Sequence, residues 1–290
     1  MHKSLTLLTS IVILLIAACC SEDNNEKPQN EEGKIPVLLS TRGEGSNWDT
    51  GSQVGLFMVY GTMQSTNNYQ NNLLLQNNGT ASWTSQHPIY WIDNGTAADF
   101  IGYSPYNSDV PDALAFSFQV NADQSTSDRQ EASDFLWGKL ATQTPNDQVL
   151  NMTLGHLFSR VIVHVVAGEG FTEQELRDGT LSVRLNAIRT QATINLATGV
   201  VTAVGDPTAI TPLDEGELTY SAVVVPQQIA QKELITINFV GFDYPFTHTI
   251  TFETCKQYTF TVTLKKISSG LNIGISDWDV VDEDFGGTVN

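Results

Sequence analysis

At 290 residues the chain is long enough for about two domains. Hydrophobic residues make up 41% and charged ones only 16%, so cores can form. Hydroxyls and amides carry much of the remaining polarity, a balance closer to β-sandwiches than to helical bundles. A formal net charge of -18 repels phosphate backbones and anionic headgroups, which makes nucleic acid a poor partner. Solubility is the plain reading of so acidic a surface.

Lys3 supplies a positive start, residues 5–16 form a short apolar run, and Ala17 and Ala18 are the small residues a signal peptidase requires. The run is too short to span a bilayer, which needs about 20 apolar residues. Ile16-Ala17-Ala18-Cys19 resembles the lipobox of bacterial lipoproteins. The resemblance implies a signal peptide over residues 1–18, diacylation of the Cys19 thiol and cleavage before it. Cys20 is the poorer acceptor, because Cys19 would then hold the small-residue position before the cut.

Residues 19–34 carry Glu22, Asp23, Glu26, Glu31 and Glu32 with Pro28 and several amides. Such a stretch cannot bury enough apolar surface to offset its ordering entropy, so it reads as a disordered acidic tether. An acidic cluster directly after Cys19 also resembles the surface-export signal of Bacteroidetes lipoproteins, which points to the outer face of the outer membrane.

From Ile35 onward short alternating runs are separated by turn residues, the pattern of an all-β sandwich. Ile35, Val37 and Leu39 alternate with Pro36, Leu38 and Ser40, which predicts a strand with one apolar face. Pro36 cannot donate to a ladder and belongs on an edge. Asn78-Gly79 and Asn94-Gly95 tolerate positive φ and mark hairpins, the second between the runs 89–91 and 100–103. The polar stretch from Asn121 to Ser133 reads as a long surface loop. Gln143 to Gln148, with Pro145, is the expected boundary between an N-terminal sandwich, residues 35–146, and a C-terminal one, residues 147–290.

Beyond it, strands are expected at 161–166, 181–185, 192–196, 220–225, 234–240, 246–252 and 258–264. In the last of these the period is strictly two, with threonines opposite the apolar face. Helix is scarce. Thr172-Glu173-Gln174-Glu175 forms a capping box, with Glu175 reaching back to the Thr172 amide and Gly179 stopping the helix after about two turns. No fixed-period repeat is visible, which counts against a propeller or solenoid.

Of the three cysteines only Cys255 belongs to the folded part, so no disulfide framework is possible there. With no histidine nearby in sequence, Cys255 reads as a buried or half-buried core thiol. There is no G-x-S-x-G elbow, Walker loop, H-E-x-x-H or paired C-x-x-C. His87, His156, His164 and His248 are scattered, and the spacing of His156 to Ser159 matches no catalytic motif. Asp277, Asp279, Asp282, Glu283 and Asp284 lack the EF-hand order and read as a solvated tail. Three asparagine-led triplets (at Asn78, Asn94 and Asn151) match the glycosylation sequon and read as incidental turn chemistry. No catalytic, cofactor or metal site emerges.

Among five tryptophans, Trp91 and Trp137 are embedded in apolar runs and read as core. Trp48 and Trp83 sit near turns and are the candidates for stacking on a sugar ring.

Several segments together resemble the fimbrillin family of Mfa-like pilins of Bacteroidetes. They are Trp48-Asp49-Thr50-Gly51-Ser52-Gln53-Val54-Gly55-Leu56-Phe57-Met58, Pro88-Ile89-Tyr90-Trp91 and Asp99-Phe100-Ile101-Gly102-Tyr103-Ser104-Pro105-Tyr106. Asp134-Phe135-Leu136-Trp137-Gly138, Leu154-Gly155-His156-Leu157-Phe158-Ser159-Arg160-Val161-Ile162-Val163 and Ser276-Asp277-Trp278 continue the series. Each piece alone is weak, and their order across nearly the whole mature chain carries the match. The resemblance implies two transthyretin-like β-sandwich domains and a structural, tip or accessory subunit of surface fimbriae without enzymatic activity. Its partners would be other fimbrial subunits, in a homo- or hetero-polymer.

Family pilins mature by proteolysis after an arginine, which releases the first strand, and Ser40-Thr41-Arg42-Gly43 occupies the matching place. Removing that strand would expose a groove open to β-augmentation by another subunit. The alternative keeps the segment as a permanent first strand and Arg42 as an ordinary residue. After Trp278 the acidic, glycine-paired sequence is a poor groove-filler, so a tip, anchor or accessory role stands beside a stalk role. The competing reading is a surface glycan-binding lipoprotein using Trp48 or Trp83 on a host or polysaccharide ligand.

Overall fold

The apolar run from Val54 to Val59 buries residues of both parities, and the fold explains why. The computed structural model describes residues 34–43, 48–79, 83–265 and 283–284. Cys19, the leader, the tether up to residue 33, Thr80 and Trp278 lie outside the described residues. From Lys34 onward the chain is one unit, and the regular elements of its described residues are strands apart from two short helices.

The first sheet collects β1 (Leu38–Gly43), β2 (Gln53–Val59), β3 (Gln70–Asn77), β4 (Trp83–Ser85), β5 (Ala98–Ser104), β7 (Leu136–Gln143) and β8 (Val149–His156). Between them fall β6 (Phe116–Gln119) and the short helix α1 (Ser127–Glu131). The order is β1-β8-β7-β5-β2-β3-β4, antiparallel except for β1, which runs parallel to β8. The bridge between Pro36 and Tyr90 joins the approach to β1 to the segment after β4, so the sheet curls around its inner core.

β2 and β5 are central strands buried on both faces. Val54, Leu56, Met58 and Phe100 face the inner core with Val37, Leu75, Ile89, Trp91, Leu150, Met152 and Leu154. Phe57, Val59, Ile101 and Tyr103 face a second, larger core. That core is shared with two sheets built from β9 (Ser159–Ala167), β10 (Leu181–Asn195), β11 (Val200–Ile210), β12 (Leu213–Gly216), β13 (Thr219–Val224), β14 (Gln227–Phe239), β15 (Phe242–Phe252), β16 (Lys256–Leu264) and β17 (Glu283–Asp284). Their orders are β11-β10-β14-β15, with β6 on β10, and β12-β13-β9-β16-β17.

The expected all-β character holds, and so does the one helix read from its cap. In α2 (Glu173–Asp178) the Thr172 hydroxyl accepts from the Glu175 amide, the Glu175 carboxylate accepts from the Thr172 N–H at 2.7 Å, and Gly179 is the C-cap. The expected strands at 181–185 and 192–196 are two ends of the single strand β10, broken by a bulge where Ala187 has φ +60°.

Three expectations need correction. Asn94-Gly95 does not close a hairpin. The Asp93 carboxylate accepts from the amides of Gly95 and Thr96 at 2.8 and 2.6 Å, which makes a local side-chain turn and sends β5 to pair with β2 and β7. The stretch from Asn121 to Ser133 is not a plain loop, since it contains α1 and buries Gln124 and Ser133 completely. The two buried side chains find partners within the protein, Gln124 on the Val223 backbone and Ser133 on the Asn121 amide and the Arg129 carbonyl, while most of the stretch is exposed. Gln143 to Gln148 turns β7 back into its neighbour β8, and the chain leaves the first sheet between His156 and Ser159. Glu283 and Asp284 of the acidic cluster pair with Gln257 and Lys256 at the edge of the third sheet, and Asp277, Asp279 and Asp282 lie outside the described residues.

Candidate functional site

The strand read from Ile35, Val37 and Leu39 lies at the edge of the first sheet. Its parallel register with β8 runs from Leu38 opposite Val149 to Gly43 opposite Leu154, with Arg42 opposite Thr153. Ahead of β1, the Val37 amide donates to the Ile89 carbonyl at 2.8 Å and the Trp91 amide to the Ile35 carbonyl at 3.0 Å. Pro36 falls at the bridge position between those two bonds, where no N–H is required.

Alternation then sorts the side chains. Val37 is buried and Ile35 and Leu39 pack half-buried against the inner core. Leu38, opposite Val149, faces outward and both are exposed. The floor beneath the strand is Leu150, Met152 and Leu154 of β8, with Ile89 and Trp91. Fully burying one such aliphatic side chain is worth roughly 1.5–3 kcal/mol, so the strand is held chiefly by three side chains and one ladder. Nothing in local sequence pointed to β8 as its partner, because a parallel neighbour more than a hundred residues away leaves no local signal.

Trp48 and Trp83 meet each other. Their ring centroids are 5.3 Å apart at 88°, edge to face, and both pack against the inner core. Asn77 Nδ2 donates to the Trp48 carbonyl at 3.2 Å and ties the pair to the end of β3. Trp91 is buried against Phe100 and Trp137 Nε1 donates to the Leu196 carbonyl at 2.8 Å, so both serve packing as expected.

A cavity of about 220 Å³ lies where the first and third sheets meet, lined by Asp134, His156, Phe158, Ser159, Cys255 and Lys256 among others. His156 Nδ1 is 2.7 Å from Asp134 Oδ2, so the pair holds the end of β8 to the segment after α1. The Ser159 hydroxyl donates to the Glu253 carbonyl at 2.6 Å and is committed to the backbone. Cys255 is half-buried, as expected, with φ +61° in the turn before β16. Sequence spacing could not bring His156 and Cys255 to one cavity. The signal available was that Asp134 and His156 both fall in segments that carry the family resemblance. No group of three or more candidate metal-ligating side chains occurs among the described residues.

A curled sheet whose first strand sits at its edge, backed by two further sheets sharing one core, defines an all-β architecture. The Fimbrillin-like family profile matches residues 41–278, and the chain belongs to that family. A Bacteroides uniformis protein named as a candidate fimbrium subunit, Fim1C, is 22% identical over 275 residues, covering 87% of each chain. The crystal structure of a candidate cell adhesion protein from Bacteroides uniformis superposes with a TM-score of 0.67 at 20% identity, covering 89% of this chain and all of that one. One from Bacteroides ovatus gives 0.63 at 18% identity, covering 86% and 99%. These two share the fold.

Proposed function

We propose that this chain is a structural, tip or accessory subunit of adhesive cell-surface fimbriae. Cys19 carries the lipid that holds it to the outer membrane, cleavage after Arg42 matures it, and a neighbouring subunit's strand then takes the place of the released one. Family membership supports the fimbrial role, and the Bacteroides uniformis relative is itself named for a fimbrium.

The observation that carries the strand-exchange reading is the position of β1. Among the named strands β1 pairs only with β8, so it can leave without breaking any other strand pair of the sheet, giving up besides that ladder the two backbone bonds its approach makes to Ile89 and Trp91. Its departure would open a groove floored by Leu150, Met152 and Leu154, with the β8 backbone free to pair. Apolar pockets at alternate positions beside an unpaired strand are the requirements of β-augmentation. A cut after Arg42 falls one pair before the end of the ladder and frees the strand from the rest of the chain.

The test is the full-length protein in cells that assemble it. Surface filaments containing the protein, whose first residue by N-terminal sequencing is Gly43, are the expected result. Arg42→Ala should abolish both that terminus and assembly. If Arg42→Ala polymerises as well as the unaltered protein, processing is lost from the account, and if the protein is absent from all filaments the fimbrial role goes too.

A further inference from the structure

The chain from Tyr60 into β3 is rich in side-chain amides, at Gln64, Asn67, Asn68, Gln70, Asn71 and Asn72. Its shape is set from within. Met63 is buried beneath it, and the Ala113 amide donates to the Ser65 carbonyl at 2.9 Å. Asn68 closes the loop on Gln64, its Oδ1 accepting from the Gln64 amide and its Nδ2 donating to the Gln64 carbonyl, each at 2.9 Å. Beside this loop the rings of Tyr60 and Tyr69 meet edge to face, centroids 5.1 Å apart at 84°. Such a contact covers at most one face of one ring. Tyr69 is 37% exposed, and Ile92, whose amide donates to Tyr60 Oη at 2.8 Å, is 49% exposed.

Polar groups around these rings are left to be matched. The Tyr60 hydroxyl accepts from Ile92, and its own hydrogen has no acceptor among the described residues. Gln64 Oε1, Asn71 Nδ2 and the side-chain amide of Asn67 likewise make no hydrogen bond among the described residues. No lysine or arginine occurs between Arg42 and Arg129, and every residue of this patch falls inside that stretch. An anionic ligand would therefore find no counter-charge in it. We propose that Tyr60, Tyr69 and Ile92, with the amides of Gln64, Asn67 and Asn71, form a binding site for an uncharged, hydroxyl-rich oligosaccharide.

The apolar face of a pyranose ring lies on Tyr69, and its hydroxyls, which both donate and accept, meet the amides and the Tyr60 hydroxyl. Aromatic anchors of few rotamers beside adaptable amides are the composition of surfaces that bind at low entropic cost. Trp48 and Trp83 are not involved: Tyr60 follows the last residue of β2, whereas Trp48 precedes its first and holds Trp83 at that end. The site stands without the fimbrial reading, and on that reading it gives the filament a ligand-binding face.

The experiment is affinity electrophoresis of the full chain in native gels containing galactomannan, xyloglucan or β-glucan, all neutral, with polygalacturonate as the anionic comparison. Retardation by at least one neutral polysaccharide and none by polygalacturonate is expected. Tyr69→Ala, with unaltered circular dichroism, should weaken it by about tenfold, the scale of losing one aromatic anchor. Tyr69→Phe keeps the ring and should bind like the unaltered chain. Retardation undiminished in Tyr69→Ala, retardation by polygalacturonate alone, or none in any neutral gel overturns the site. A second arm uses immobilised asialofetuin before and after enzymatic removal of its glycans. Binding that persists after their removal and is lost in Tyr69→Ala makes the patch a protein-docking surface and overturns the glycan assignment. Tyr69→Ala should still assemble into filaments, so failure of the site leaves the fimbrial reading standing.

Discussion

Gln124 pairs with the backbone of Val223 as a strand would: its Nε2 donates to the Val223 carbonyl at 2.8 Å and its Oε1 accepts from the Val223 amide at 2.8 Å. β12 pairs with β13 from Thr219 to Ser221, so beyond that point a fully buried side chain continues the sheet edge. Gln227 repeats the device on Arg189, accepting from its amide and donating to its carbonyl, each at 2.9 Å. Gln124→Leu keeps much of the volume and removes both bonds. Each buried polar group left without a partner costs about 1–3 kcal/mol, so urea melts should show at least about 2 kcal/mol lost. Gln124→Glu, which retains an acceptor but not the donor, should also destabilise.

Gly55 in β2 is fixed by the ring of Tyr103. A Cβ there would clash with the Tyr103 ring, whose hydroxyl lies 2.7 Å from Asn72 Oδ1 and 3.0 Å from the Asn107 carbonyl and donates its one hydrogen to either. Overpacking of this kind costs about 1–3 kcal/mol or more, and Gly55→Ala should lower the melting temperature accordingly. Gly95 is the contrast, with no positive φ and its nearest atom 4.0 Å away, so Gly95→Ala should melt like the unaltered protein.

The register of the first strand predicts opposite outcomes for neighbouring residues. Val37→Asp places a charge in the inner core and should leave residues 35–43 open to limited proteolysis. Leu38→Asp changes an outward-facing side chain and should leave the protease pattern unaltered. Equal sensitivity of the two would mean that the strand does not hold this register.

Asp99 braces β5 to β7 through Lys139 Nζ at 2.9 Å and the Thr142 amide at 2.7 Å. Partial burial alone would raise its pKa, but the Lys139 and Thr142 bonds outweigh this and hold it below the ordinary 3.8. A carboxyl depressed in the folded state contributes stability that is fully present above pH 3.8 and is lost as the pH falls through the folded value. Asp99→Asn should cost about 1 kcal/mol at neutral pH and remove that part of the acid dependence below pH 3.8, read from melts at successive pH values.

Thr172→Ala removes one half of the capping box of α2. About 1 kcal/mol is expected from the lost cap, with faster amide exchange confined to the first turn of the helix.

Local chemistry was legible wherever one short segment contains its own reason. The capping box at Thr172, the alternation in β1 and the two-residue period of β16 are each complete within a few residues, so composition and spacing determined them. Thr263 shows the limit: its parity placed it outward, yet it is buried because Gly168 packs beside it. Asp93 shows another, since a carboxylate that captured two amides converted an expected hairpin into a turn.

What tertiary structure alone decided is which distant segments meet. The parallel partner of β1, the glutamine that finishes the edge of β13, and the approach of His156, Ser159 and Cys255 to one cavity depend on contacts far apart along the chain. Alternation tells a strand which face is apolar, but both faces of β2 and β5 are apolar because a second core forms behind them. A backbone edge has no side-chain pattern announcing its neighbour, so the groove beneath the first strand exists only once β8 has been brought beside it.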